Sequence, residues 1–381
     1  MTLHFDATEY RTRQSRATQA LRDTGLGALL MFAPESHFWI SGYDTFGFAM
    51  FQCMVLTAQG DLHLLTRMPD LRQAQQTSTL PDDHIHIWTE TFDSAPAQDL
   101  ARLLADLGVQ GRIGLENATV GLTDANGQAV RAAIPGLVDM PHLIRDLRQT
   151  KSQAEVAMHR KAAALSDDGL DAALDLIAPG AFEGDILAAM QGAVFQGGGD
   201  YAGNEFIIGS GRRALLCRYF SGRRHLGAQD QLTLEWSGAY ARYHAAMMRT
   251  VIVGQPTEAH RRMHAACDEA LAACEAAIRP GAPMGDVHAA HCRVFDGHGY
   301  GDARLQACGY GMGAIYNPIW VDFPMFTGGN PTIMRENQVF FLHMILMDSA
   351  SGYAMTLGHS VLVTGDGCER LSRYDTGLLQ R

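Results

Sequence analysis

The residues between Leu232 and Gly254 carry the densest chemistry in the chain. They read Leu232-Thr-Leu-Glu235-Trp-Ser-Gly238-Ala-Tyr-Ala-Arg242-Tyr243-His244-Ala-Ala-Met-Met-Arg249-Thr-Val-Ile-Val-Gly254. Glu235 sits in an otherwise apolar strand, where an unpaired carboxylate costs several kcal/mol or must take up a proton. A partner such as Arg249 would make it structural. A carboxylate held between its two protonation states would instead be a base, a nucleophile or a proton donor. A second stretch, Ile315-Tyr-Asn317-Pro-Ile-Trp320-Val-Asp322-Phe-Pro-Met-Phe326, mixes aromatic rings with one acid. Such a wall attracts a small cation, with Trp320 and Asp322 as contacts. Arg218 and Arg249 are candidates for gripping a carboxylate.

Two kinds of architecture must position these groups. Up to about residue 148 helix and strand patterns alternate, with helices at 8–24 and 97–107. Strands are expected at 28–32, 49–57, 63–66, 84–88 and 112–115, so a sheet covered by helices follows. Trp39-Ile40 is read as leading into a turn at Ser41-Gly42. Ser152-Gln-Ala-Glu155 is a capping box that opens a long helix to about 177. Further helices are expected at 183–195, 256–279 and 283–299. Strands are expected at 204–210 and 231–254, the latter folded as a hairpin, and strands and loops at 305–371. The reading is α+β, with domains at 1–148 and 149–381.

Composition excludes several functions. The chain has 381 residues, a formal net charge of −11, and only two lysines among 30 basic residues. Without a basic stripe it is a poor partner for nucleic acid or an anionic membrane. The seven cysteines lack a Cys-x-x-Cys pair, which disfavours a disulfide framework or structural zinc. No secretory signal is read at Met1-Thr-Leu-His-Phe-Asp, and no apolar run reaches a membrane span. A cytoplasmic location is expected.

The order of motifs resembles the methionine aminopeptidase, prolidase and creatinase family, whose catalytic domain has the "pita-bread" fold. The Glu235–Gly254 segment resembles that family's Leu-x-Asp-x-Gly-x-x-Tyr-x-x-Tyr run, which continues to Arg-Thr-x-x-x-Gly. Cys308-Gly-Tyr310-Gly-Met-Gly313, Phe340-Phe-Leu-His343-Met and Thr356-Leu-Gly358-His359-Ser-Val-Leu-Val-Thr-Gly-Asp-Gly367 follow in the family's order. The resemblance implies a pita-bread C-terminal domain behind an α/β creatinase-type N-terminal domain. Where the family holds two metals with Asp, Asp, His, Glu and Glu, this chain places Glu235, Ala246, Tyr310, His343 and Gly358. Ala246 and Gly358 offer no donor, and a two-metal hydrolase needs bridging carboxylates. No metal ligand and no cofactor are therefore assigned.

The departures point to the branch that resembles ectoine hydrolase and creatinase, which opens C–N bonds in small zwitterions. That resemblance implies Glu235, His343, His359 and Tyr310 as catalytic residues, with histidine moving a proton at neutral pH and Tyr310 donating to a developing charge. Arg218, His244, Trp320 and Asp322 would hold the substrate. A metal-assisted aminopeptidase, a lyase of a sulfonium osmolyte and an inactive binding module are the alternatives. The segment Gly42-Tyr43-Asp44-Thr-Phe46-Gly-Phe48-Ala-Met50 is rich in aromatics, which marks a contact surface. By resemblance the protein is a homodimer in which Tyr43, Asp44, Phe46 and Phe48 of one chain close the pocket of the other.

Overall fold

A computed structural model describes residues 3–381, leaving Met1 and Thr2 of the opening segment outside the described residues. The chain divides into two compact units between Arg148 and Gln149.

The first unit contains α1 (Ala7–Asp23), β1 (Ala28–Met31), α2 (Pro34–Ser41), β2 (Cys53–Thr57), β3 (Leu62–Thr66) and α3 (Leu71–Thr77). It continues with β4 (Ile85–Ile87), α4 (Pro96–Asp106), β5 (Ile113–Leu115), α5 (Asp124–Ala133), β6 (Val138–Asp139) and α6 (Leu143–Gln149). Its sheet has the order β4-β3-β2-β1-β5-β6. The segment expected as an approach to a turn is the helix α2. Pro34 supplies a fixed φ at its first turn, and the buried Glu116 carboxylate fixes the chain that enters it. Glu116 accepts from the Phe32 and Ala33 N–H groups and from the Ser36 hydroxyl at 2.6 Å. That cap comes from 80 residues away, beyond any local pattern.

The second unit begins with α7 (Gln153–Leu176), opened by the expected capping box of Ser152 and Glu155. It continues with α8 (Glu183–Gln196), β7 (Ile207–Ser210), β8 (Asp230–Tyr240), β9 (Tyr243–Val253), α9 (Glu258–Ala277) and α10 (Met284–Gly297). It ends with β10 (Gly309–Gly311), β11 (Asp322–Met325), β12 (Val339–Asp348), β13 (Tyr353–Val363), β14 (Cys368–Arg370) and β15 (Leu379–Gln380). The main path of its sheet is β11-β10-β12-β13-β9-β8-β7.

The hairpin joining β8 to β9 turns at Ala241 and Arg242, three residues beyond the glycine in the motif. Both have left-handed φ angles, 48° and 65°. That is the two-residue turn whose twist matches the strands, and it normally selects Asn and Gly. Here the Asp200 carboxylate accepts the Arg242 N–H at 2.9 Å and holds the turn from outside.

Strand alternation sorts the second unit into two faces. On one face Trp236 donates its indole N–H to the Ser166 carbonyl of α7 at 2.9 Å. A side chain at Gly238 would meet the Ala162 carbonyl of α7 at 2.1 Å, so only glycine admits this close packing. Leu342, Met344, Met355 and Leu357 pack on the same side against Met263 and Leu271 of α9. Glu235, Ala246, Met248, His343 and Gly358 occupy the opposite, helix-free face by register.

Candidate active site

Two cross-strand rows form the floor of the helix-free face. In the first, Glu235 pairs with Met248, Met248 with Gly358, and Gly358 with His343, a line across β8, β9, β13 and β12. In the second, Ser237 pairs with Ala246, while Ser360 pairs with Phe341 and Phe341 with Tyr310. The Ser360 hydroxyl donates to the Ala246 carbonyl at 3.1 Å and ties the halves of that row together. Polar groups thus stand toward the ends of the rows, with Ala246, Gly358 and Ser360 between them.

Glu235 is 9% exposed, Tyr310 6% and His343 7%, small openings in a largely closed region. Burial raises the Glu235 carboxyl to about 7, against the pull of Arg218. Near neutrality Glu235 therefore divides between acid and carboxylate, the state required of a group that both takes and returns a proton. Burial raises the Tyr310 phenol far above its ordinary value, and the Glu235 charge adds to the effect. Tyr310 stays protonated. Its hydroxyl oxygen accepts the Trp320 indole N–H at 2.9 Å, leaving its own proton to give. Burial lowers His343 to about 4, with Arg218 acting in the same direction. At pH 7 it is a neutral imidazole, and its buried Nδ1 has no partner. The Arg218 side chain is exposed, and its charge acts on Glu235, Tyr310 and His343 alike.

His244 lies on the helix-free face of β9, two residues from Ala246. Its Nε2 accepts the Gly203 N–H at 2.8 Å, so its proton is on Nδ1, which is buried near the Arg242 and Gly313 backbone. Burial holds it neutral, at about 4. The neighbouring polar residues point elsewhere. Tyr243 donates to Glu155 at 2.8 Å, and Arg249 donates to the Gly358 carbonyl. Arg249 is on the helix side of the sheet, so it is not the partner of Glu235.

Several expected site residues stand differently. His359 is one residue past Gly358 and therefore on the opposite face, under α9. Its Nε2 donates to Glu275 at 2.6 Å, and Arg370 grips the same carboxylate with two bonds. His359 is thus separated from Glu235 by the sheet itself. Trp320 is 1% exposed and stands behind Tyr310, not as a wall open to substrate. Asp322 is buried, with one carboxylate oxygen accepting the Phe323 N–H. In the first unit Tyr43 belongs to the core beside Trp39 and Ile40, its hydroxyl 3.4 Å from Gln52. A buried core residue cannot cap another chain's pocket. Asp44 and Phe48 are half-buried, whereas Phe46 is 84% exposed.

The five metal-ligand positions supply at most Glu235 and His343 as ordinary donors. An added side chain at Gly358 would start 2.5 Å from the Leu342 carbonyl and 3.1 Å from the His343 Cα. The space a carboxylate would need there is filled by β12. The residues present do not fit a two-metal centre.

A donor group that sequence reading passed over is His288, His291 and Cys292 on α10, whose donor atoms lie within 4.8 Å of one another. Their i, i+3, i+4 spacing was the available signal. All seven cysteines are free thiols.

Comparison with known proteins agrees with this architecture. The profile of "Metallopeptidase family M24" matches residues 157–365, and that of the "Creatinase/Prolidase N-terminal domain" matches 13–150. The chain belongs to the M24 metallopeptidase family, behind a creatinase/prolidase N-terminal domain, and its fold is the pita-bread fold of that family. An uncharacterized hydrolase/peptidase of Sinorhizobium fredii is 26% identical, covering 97% of both chains. The ectoine hydrolase of Halomonas elongata is 25% identical over 98% of each. Dipeptidase PepE from Mycobacterium ulcerans shares the fold with a TM-score of 0.86 at 22% identity, covering 99% of each chain. Among the described residues no helix is long and apolar enough to cross a membrane.

Proposed function

We propose that this protein hydrolyses a C–N bond in a small zwitterionic metabolite, of the ectoine-like cyclic amidine class, without a catalytic metal pair. The observation that carries the reading is a buried carboxylate, Glu235, raised to about 7, on a floor whose former ligand positions are Ala246 and Gly358. In the reaction Arg218 holds the substrate carboxylate and Glu235 takes a proton from water. The hydroxide adds to the amidine or amide carbon, with Tyr310 donating to the charge that develops. The C–N bond then breaks and protonated Glu235 returns the proton to the leaving nitrogen. His343, neutral at pH 7, supplies a hydrogen bond and not a positive charge. His244 offers its Nδ1–H to the substrate.

A second reading, a metal-assisted Xaa-Pro peptidase, has the names of relatives in its favour. The Xaa-Pro dipeptidase of Pyrococcus furiosus is 24% identical, over 62% of this chain. The donor set argues against it. Chelator-treated protein should retain its turnover of cyclic amidine and lactam zwitterions. Turnover of Xaa-Pro dipeptides that appears only with added Mn²⁺ or Co²⁺ would replace the first reading by the second. For the assembly we propose a two-fold dimer in which the exposed Phe46, with Asp44 and Phe48 beside it, faces the partner's Glu235 pocket.

A further inference from the structure

The helix α10 presents three side chains that metal ions prefer, one of which, His291, is near enough to feel His343. His288, His291 and Cys292 fall on one face because positions i, i+3 and i+4 of a helix are neighbours. The Cys292 Sγ lies 3.7 Å from His288 Nδ1 and 3.9 Å from His291 Nδ1. Around a tetrahedral zinc ion, with Zn–S of about 2.3 Å and Zn–N of about 2.0–2.1 Å, a sulfur and a nitrogen ligand are roughly 3.5 Å apart. The two sulfur–nitrogen separations are within a few tenths of an ångström of that value, and all three donor atoms lie within 4.8 Å of one another.

A second observation concerns orientation. His288 Nε2 donates its proton to the Gln306 carbonyl at 2.8 Å, which leaves the lone pair on Nδ1, while the Cys292 Sγ faces the ring edge, 3.6 Å from Nε2 and 3.7 Å from Nδ1. A ring N–H given to a backbone carbonyl is the usual support behind a metal-ligating histidine. His291 is buried and His288 and Cys292 are half-buried, so the cluster has a floor and an opening. Arg304 stands nearby with its charge paired to Asp296 at 2.9 Å, and it opposes the rise that burial imposes on the Cys292 thiol.

We propose that His288 Nδ1, His291 Nδ1 and the Cys292 thiolate bind one zinc-class divalent ion, with water as the fourth ligand. Binding releases the Cys292 thiol proton to solvent while the Zn–S bond forms, and no oxidation occurs. Gln306, tied to His288, lies two residues before Cys308, whose carbonyl accepts the His343 N–H at 3.0 Å. The ion would thus brace the segment that leads into β10 and Tyr310. It would be a clamp, not a catalyst.

The test uses the full chain without an affinity tag, stripped by chelator and titrated with Zn²⁺ and, separately, Co²⁺. One equivalent should bind, and the Co²⁺ form should show a thiolate charge-transfer band. Cys292→Ser should abolish that band, and Cys292→Ser and the half-buried His288→Ala should each weaken Zn²⁺ binding at least about tenfold. Glu235→Gln and His343→Asn should keep the full equivalent. Unchanged Zn²⁺ affinity in both Cys292→Ser and His288→Ala would overturn the site, as would failure of the wild type to bind. Loss of the ion in Glu235→Gln with retention in Cys292→Ser would place the metal in the pocket and sink the metal-free hydrolase instead.

Discussion

The Trp320 indole N–H and the Tyr310 hydroxyl oxygen are joined at 2.9 Å inside a buried wall of the site. The bond occupies one lone pair of the phenol and leaves its proton for another acceptor, so Trp320 would act through Tyr310. Trp320→Phe keeps the packing and removes the donor. A hydrogen bond of this kind contributes about 1 kcal/mol, so kcat should fall about five- to tenfold while KM changes less. Steady-state kinetics beside Tyr310→Phe, in which the loss should be larger, checks this. An equal rise in KM with unchanged kcat would make Trp320 a binding residue only.

Glu235→Gln should lower kcat by about 10²–10⁴, the range of a positioned proton-transfer group. In the wild type kcat/KM should rise with pH through about 7, because the carboxylate is the working form in the first step. A flat profile between pH 5 and 9, or a variant of near wild-type rate, would show that Glu235 is structural.

The same group has a stability signature. Below its ordinary value of 4.5 Glu235 is protonated whether folded or unfolded, so it adds nothing. Between 4.5 and about 7 the unfolded chain loses its proton first, and the folded state is progressively penalised. Above about 7 the penalty is complete, at up to about 3 kcal/mol for a shift of this size. Denaturant melts should therefore show Glu235→Gln gaining on the wild type between pH 5 and pH 8. A constant difference between the two proteins would mean that the carboxyl is not raised.

His343 and His359 should separate cleanly. His359→Asn removes a bond to Glu275, which burial would raise but His359 and Arg370 together hold at about 2. Stability should drop by about 1–3 kcal/mol with kcat within about twofold of wild type. His343→Asn should do the reverse, lowering kcat at nearly constant melting temperature. If His359→Asn abolished turnover in a protein of normal stability, the division of the sheet into two functional faces would fail.

Shared pockets can be tested by subunit exchange. Phe46→Asp alters an exposed ring and should leave folding intact, while Glu235→Gln inactivates the floor. Mixed in equal amounts, half of the dimers are hybrids with one intact pocket each. About one quarter of wild-type activity should then return. Proven hybrids without recovery would confine the site to one chain.

Much of this was legible in the residues. The capping box at Ser152 and Glu155, the apolar strands around Glu235 and the ordered glycine motifs identify the fold because they are local patterns. The family order also implied Glu235, Tyr310 and His343 as a group, and the strand register puts the three on one face of the sheet. His359 misled because a one-residue offset in a strand, invisible in a motif, exchanges the two faces of the sheet. Tyr43 misled because an aromatic cluster reads alike whether it packs inward or outward. The helix α2 escaped because its cap is Glu116, and the turn at Ala241 and Arg242 because Asp200 does the work of the missing Asn-Gly pair.

Gly358 has a longer consequence. A carboxylate introduced there meets Leu342 and His343 first, so substitution at this position alone yields strain. Strand β12 would have to retreat first, and that retreat brings no benefit while Ala246 remains. Placing a metal pair on this floor therefore takes concerted change, with donors at 246 and 358 and a shift of β12 together. The floor accepts variation more readily in the side chains of Glu235, Tyr310 and His343 than at the closely packed position 358.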